Sequence, residues 1–188
     1  MNILAISGSL RAASLNSKLL RAVKRLAPSD IHVDLYGGLG ALPLFNPDLA
    51  ALGPPAAVAE LRSRIISSHA VLIASPEYAH GVSGVIKNAL DWMVGNESFV
   101  NKPVGLLNAS PRASIAQAAL RETLTTMSAQ VVPAACATVG ILGSGLDEDG
   151  IVRHPEVSTA LLRALLALQS VRRVTSATDV YRWMLRSS

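Results

Sequence analysis

The sequence predicts a doubly wound α/β/α fold, three layers around a five-stranded parallel sheet of order 2-1-3-4-5, and three observations carry that prediction. Short apolar runs alternate along the chain with stretches of helical periodicity. The run 70–74, Ala-Val-Leu-Ile-Ala, is continuously apolar, as in a strand covered on both faces of a parallel sheet. At 188 residues the chain suits one domain with a substantial core and is short for two. Strands that alternate with helices pair in parallel through right-handed crossovers, which gives the layered architecture.

Residues 2–6 form the first short apolar run and end in Ser7-Gly8-Ser9. Leu15, Leu19, Ala22, Val23 and Leu26 then recur at helical spacing, so the start reads strand, tight turn, helix. Pro28-Ser29-Asp30 supplies a turn into a second strand at 31–36. Residues 37–55 hold four glycines and four prolines and read as an irregular surface crossing. Val58, Leu61 and Ile65 mark a second helix, which leads to the third strand at 70–74. The stretch 75–84 reads as a loop, and Val82, Ile86, Ala89, Leu90 and Met93 as one face of a third helix. A fourth strand at 104–107 and a fourth helix through Ala116, Leu120, Leu124 and Met127 follow. Residues 131–140 read as a weaker fifth strand interrupted by Pro133, and a last helix starts near Pro155, a favoured first-turn residue, passing through Val157, Leu161, Leu165 and Leu168. Residues 171–188 read as a tail of uncertain order.

Composition narrows the function classes. Half the residues are hydrophobic, but they lie in short blocks with no membrane-length run, so no membrane span is expected. The first residues carry no basic stretch and no cleavage pattern, and the protein is expected in the cytoplasm. Cys136 is the only cysteine and reads as a small buried apolar residue, while His32, His69, His80 and His154 are scattered, so no metal site is expected. The net charge of +4 is spread along the chain without an aromatic-rich RNA-binding motif, so nucleic acid is not expected as a partner. The densest basic stretch, Arg163, Arg172, Arg173, Arg182 and Arg186, reads as a solvated or subunit-contacting surface.

In a sheet of this order, ligands bind beyond the carboxyl ends of strands 1 and 3, where the winding direction reverses. The loop after strand 1 runs Ser7-Gly-Ser-Leu-Arg-Ala-Ala-Ser-Leu-Asn-Ser17. A phosphate monoester needs several converging donors, and this loop offers helix-start N–H groups, the hydroxyls of Ser9, Ser14 and Ser17, the Asn16 amide and the Arg11 fork. It fits neither the dinucleotide G-x-G-x-x-G pattern nor a P-loop, and serines at a helix start also serve simply as caps. The loop after strand 3 runs Ser75-Pro-Glu-Tyr-Ala-His-Gly81. A flavin ring needs flat apolar contact and backbone donors along one edge; Pro76 and Tyr78 supply the first and the loop's N–H groups the second.

Together the two loops resemble the NADPH-dependent FMN reductase family of flavodoxin-like proteins, which includes quinone, chromate and azo-dye reductases. The resemblance rests on Gly-Ser-Leu-Arg11 with Ser14 and Asn16, Leu42-Pro-Leu-Phe-Asn-Pro-Asp48, Pro-Glu-Tyr78 and Lys87-Asn-Ala-Leu-Asp-Trp92, and extends to about Val132. It implies a flavodoxin-like fold, FMN as cofactor, NADPH or NADH as donor, and a small acceptor such as a quinone, azo compound, oxyanion or free flavin. It further implies that Ser9, Arg11, Ser14, Asn16 and Ser17 hold the FMN phosphate, that Pro76, Glu77 and Tyr78 flank the ring, and that the chain forms a homodimer or a dimer of dimers; His80 of the same loop is a further cofactor-binding candidate. The alternatives are a non-enzymatic flavodoxin-type electron carrier and a nucleotide-binding module without turnover; carriers are typically acidic where they meet partners, and this chain is basic.

Two departures stand out. Many relatives carry Asn after Pro-Glu-Tyr, where this chain has Ala79 and then His80, and a glycine-rich loop after strand 4, where it has Asn108-Ala-Ser-Pro-Arg-Ala-Ser114. Ser110 and Arg112 of that loop are placed at the pyrimidine side of the ring or at the nicotinamide entrance, Arg112 otherwise reading as a solvated turn arginine. Hydride transfer between nicotinamide and flavin needs alignment more than an acid or base, so no catalytic side chain is assigned. Lys87 and Asp91, one helical turn apart, read as structural or dimer-contact residues, and Trp92, Met93 and Val94 as surplus apolar surface for a second copy.

Overall fold

The computed structural model describes the backbone of residues 1–186 and the side chains of residues 1–171. Strand β1 (Asn2–Ser7) is followed by helix α1 (Leu15–Leu26) and strand β2 (His32–Tyr36). The short helix α2 (Pro47–Ala51) and the longer α3 (Ala56–Ser67) lead to β3 (Ala70–Ala74). A two-stranded hairpin, β4 (Glu77–Tyr78) and β5 (Gly81–Val82), precedes α4 (Gly84–Val94). Then come β6 (Pro103–Asn108), α5 (Ser114–Thr126), the short strands β7 (Gln130–Val131) and β8 (Ala137–Thr138), and helices α6 (Glu148–Arg153) and α7 (Pro155–Arg186).

The main sheet runs β2-β1-β3-β6, all parallel, with β7 and β8 both on the outer edge of β6. The expected flavodoxin-like order is therefore present, and its fifth strand is split. Pro133 opens a tight turn over Pro133–Ala135, and a residue without an N–H cannot continue the ladder, so two short pieces share the edge. Alternate strand residues face opposite layers. Ile3, Ala5, Ala70 and Leu72 pack with Leu19, Val23, Leu161 and Leu165 of α1 and α7. Leu4, Ile6, Val71 and Ile73 pack with Leu61, Ile86, Leu90 and Leu120 of α3, α4 and α5. Each buried Leu, Ile or Val among them contributes about 1.5–3 kcal/mol relative to exposure. The helix stripes read from the sequence supply both layers, except that Val82 lies in the hairpin and not on α4.

Two short helices and the hairpin escape the periodicity reading. Asn46 caps α2 and Asp147 caps α6 through their side chains, and α6 docks on α1 by ion pairs from Arg21 and Arg25 to Glu148 and Asp149. The final helix continues to Arg186, beyond its apolar stripe; the side chains of Arg172, Arg173, Arg182 and Arg186 lie outside the described residues. Among the described residues no helix is long and apolar enough to cross a membrane.

Of the apolar surface that motivated a dimer on α4, only Val94 is exposed, at 62%. Trp92 and Met93 are buried within their own chain, Trp92 against the segment after β2 and Met93 among Leu61, Ile65, Ile73 and Phe99. The Trp92 indole N–H and the Asn88 amide both donate to the Pro43 carbonyl, at 2.8 and 3.0 Å, and Phe45 meets Trp92 edge-on. Lys87 and Asp91 form the expected exposed ion pair, 2.6 Å. The most exposed large apolar side chains among the described residues lie on the covering arm, Leu44 at 82% and Leu52 at 86%.

Candidate active site

The carboxyl ends of β1, β3 and β6 open into one cavity of about 440 Å³, within the range of small-molecule sites. Of the residues expected at the site, Ser9, Arg11, Ser14, Asn16, Pro76, Glu77, Tyr78, His80, Ser110 and Arg112 all line it. Ser17 does not. Its hydroxyl turns under the loop to bond Ser7 at 2.8 Å, since position 17 lies past the helix start and faces the sheet.

Gly8 brings the first two walls together. Its N–H bonds the Ala74 carbonyl at 2.8 Å, and a Cβ at this position would sit 2.5 Å from the Ser75 hydroxyl and 2.8 Å from Ile86. Only a residue without a side chain allows the β1–α1 loop to lie this close to β3. Beyond it, Ser14 caps α1 by accepting the Ser17 N–H, so the plain cap reading of Ser14 is realised while its own hydroxyl proton stays available. Ser9 accepts the Arg11 N–H and fixes the loop. Among the described residues, Arg11 makes no ion pair, and the N–H groups of Leu15 and Asn16 at the helix start have no partner. The Asn16 Oδ1 atom is buried and unpartnered. Orphaned donors at a helix start, a free guanidinium and a buried unpaired amide in one wall fit a ligand bearing a phosphate and hydroxyls.

The second wall is the β4–β5 hairpin. Ala79 and His80 form its two-residue turn with φ of 49° and 58°, the left-handed pair of a type I′ turn. Asn and Gly adopt this conformation readily and Ala does not. Ala79→Asn or Ala79→Gly is therefore expected to stabilise the protein by about 1 kcal/mol, read from urea midpoints. A destabilised Ala79→Asn would show that the turn is not under strain.

Glu77 has a use that the sequence did not disclose. Its carboxylate accepts the Ala116 N–H at 2.8 Å and meets His80 Nδ1 at 3.0 Å. The residue before α5, Ala113, has no side-chain acceptor, so Glu77 caps that helix from another loop. The Ala116 N–H bond, aided by His80 and a further bond from Ile115, holds the carboxyl below the usual glutamate range against the opposing effect of burial. A carboxylate depressed in the folded state adds stability above its unfolded value and loses it as pH falls through the folded one. The stability gap between the native chain and Glu77→Gln should thus be full at neutral pH and close as acid protonates Glu77. An equal gap in acid and at neutral pH would exclude the charge as its origin.

The third wall is the β6–α5 loop. Asn108, buried, accepts the Ser110 N–H and donates to the Ala113 carbonyl, closing the turn that presents Ser110 and Arg112. Asn108, Ala109, Ala113, Ser75 and Leu142 also line the cavity and were not expected there. A polar residue ending an apolar strand was the available signal for Asn108; Leu142, half-exposed after β8, had none.

The sequence model of the NADPH-dependent FMN reductase family matches residues 1–141. The chain belongs to that family. It is 33% identical over 174 residues to the NAD(P)H-dependent FMN reductase of Pseudomonas aeruginosa, covering 90% of this chain and 94% of that one. It is 34% identical over 155 residues to a quinone reductase of Pseudomonas putida, covering 79% and 83%. Among solved structures, the flavoenzyme NAD(P)H:(acceptor) oxidoreductase FerB of Paracoccus denitrificans superposes with a TM-score of 0.74 at 30% identity, over 92% of this chain and 97% of that chain. As a member of the family, the chain is an oxidoreductase that works with FMN and NAD(P)H.

Proposed function

We propose that this reductase passes electrons from NAD(P)H, by way of FMN in the cavity described above, to a small acceptor of the quinone type. The cavity geometry carries the proposal: unpartnered donors gather on its β1–α1 side, while Pro76, Tyr78 and Leu142 give apolar contact across from them. Bound FMN supplies two-electron hydride chemistry. The protein's own part is positioning. Arg11, Ser9, Ser14 and the helix-start N–H groups hold the phosphate, and Asn16 meets a hydroxyl of the chain that links phosphate to ring. Pro76 and Tyr78 flank the ring, and Glu77 acts at one remove by fixing the hairpin to α5. Arg112, from the loop that departs from the family pattern, stands at the pyrimidine side, where a guanidinium stabilises negative charge on the reduced ring. The quinone reductases among the relatives support the choice of acceptor. Purified protein should be yellow and oxidise NADPH or NADH in the presence of a quinone. Colourless protein that cannot be reconstituted with FMN would overturn the reading.

The functional unit in this reading is a homodimer seated on the 44–52 arm, whose Leu44 and Leu52 are the most exposed large apolar side chains among the described residues. Leu44→Asp combined with Leu52→Asp should turn a dimer at micromolar concentration into a monomer in sedimentation. A native chain that sediments as a monomer would remove the dimer from the proposal.

A further inference from the structure

A second cavity, about 390 Å³, lies between α5 and the split outer strand. Its wall includes Arg121 and Gln117 of α5, Ser114 at the helix start, Thr138 of β8, and Cys136. No acidic side chain lines it, and among the described residues Arg121 makes no ion pair. Gln117 is held in place by its bond to the Leu107 carbonyl. Asn108 stands in the wall of both cavities, and the loop bearing Arg112 runs between them.

The proposed function, on which this step rests, sets a problem of space. The first cavity, at about 440 Å³, is of the size of one small-molecule site, so the nucleotide end of a dinucleotide that reaches a flavin there must extend outside. A neighbouring cavity with a free guanidinium, hydroxyls and no carboxylate is suited to a phosphorylated nucleoside, because an unopposed arginine binds phosphate through paired charge-assisted bonds. We infer that the second cavity receives the adenosine end of the nicotinamide coenzyme, with Arg121 as counter-charge to the 2′-phosphate that distinguishes NADPH from NADH. The split of the fifth strand at Pro133 makes this seat, since an unbroken edge strand would run through the space that the turn leaves open.

Cys136 is the only cysteine of the chain and lies in the cavity wall, so its thiol reports occupancy without turnover. Adenosine 2′,5′-bisphosphate, at about ten times its dissociation constant, should slow thiol labelling of the FMN-loaded protein by about tenfold. Arg121→Glu should abolish that protection and raise KM for NADPH by about ten- to a hundredfold. Its KM for NADH should stay within about twofold of the native value. Labelling that the bisphosphate does not slow would overturn the assignment, as would protection by inorganic phosphate equal to that by the bisphosphate. Equal KM values for NADPH before and after Arg121→Glu would overturn it too. Because labelling needs no catalysis, these results decide the seat separately from the reductase reading, which stands or falls on flavin content and NAD(P)H oxidation.

Discussion

Gly8→Val is expected to destabilise the protein by about 1–3 kcal/mol and to abolish measurable FMN binding in the same concentration range where the native chain saturates. The reason is crowding at the switch point. The added Cβ would lie 2.5 Å from the Ser75 hydroxyl and 2.8 Å from both Ser75 Cβ and Ile86, and none of these groups is the free end of a flexible chain. Ser75 and Ile86 are buried, so the strain is relieved only by separating the β1–α1 loop from β3. That separation moves the phosphate-side wall away from the ring-side wall, and donors displaced by about an ångström lose much of their value. Gly8→Ala should show the same pattern in milder form. Denaturation in urea and quenching of FMN fluorescence on binding measure the two effects. A Gly8→Val chain with native stability and native affinity would show that the two walls tolerate separation.

Arg11→Ala should weaken FMN binding by about ten- to a hundredfold, the equivalent of a lost charge-assisted contact. Arg11 is exposed on the cavity wall without an ion-pair partner among the described residues, so its removal leaves the fold intact. Riboflavin, which lacks the phosphate, should bind native and variant chains alike, which separates loss of a phosphate contact from general damage. Arg11→Lys should fall between them, as a point charge replaces a fork. Full FMN affinity in Arg11→Ala would assign the phosphate to the helix-start N–H groups alone.

The sheet order and the main helices were legible because both follow from period. Continuous apolar strands such as Ala70–Ala74 and stripes such as Leu161, Leu165 and Leu168 leave one consistent layered packing. The cavity's position was legible for a topological reason, as loops after strands 1 and 3 of such a sheet must meet. What stayed hidden depends on contacts distant in sequence. Glu77 reads as a flavin-loop residue, yet its carboxylate is occupied by Ala116, 39 positions away. Trp92 reads as surplus because nothing in α4 announces that Pro43 and Phe45 fold over it. Ser17 lies outside the cavity wall, since the direction a side chain takes at a helix start is set by the cap, here Ser14. The hairpin was unreadable because Ala79-His80 is an uncommon pair for a type I′ turn.

The walls of the cavity come from residues 9–16, 75–80, 108–113 and 142, segments far apart along the chain that are neighbours only because β1, β3 and β6 lie side by side. No single segment gathers more than part of the donor set. In the proposed reading the cofactor is thus a ligand of the assembled sheet alone, and the two parallel pairings, β1 with β3 and β3 with β6, each closing a long loop, have to be made before it has anywhere to go. Flavin supply consequently shifts how much of the protein stays folded, by mass action on the finished state, while the route and speed of assembly are left to the polypeptide.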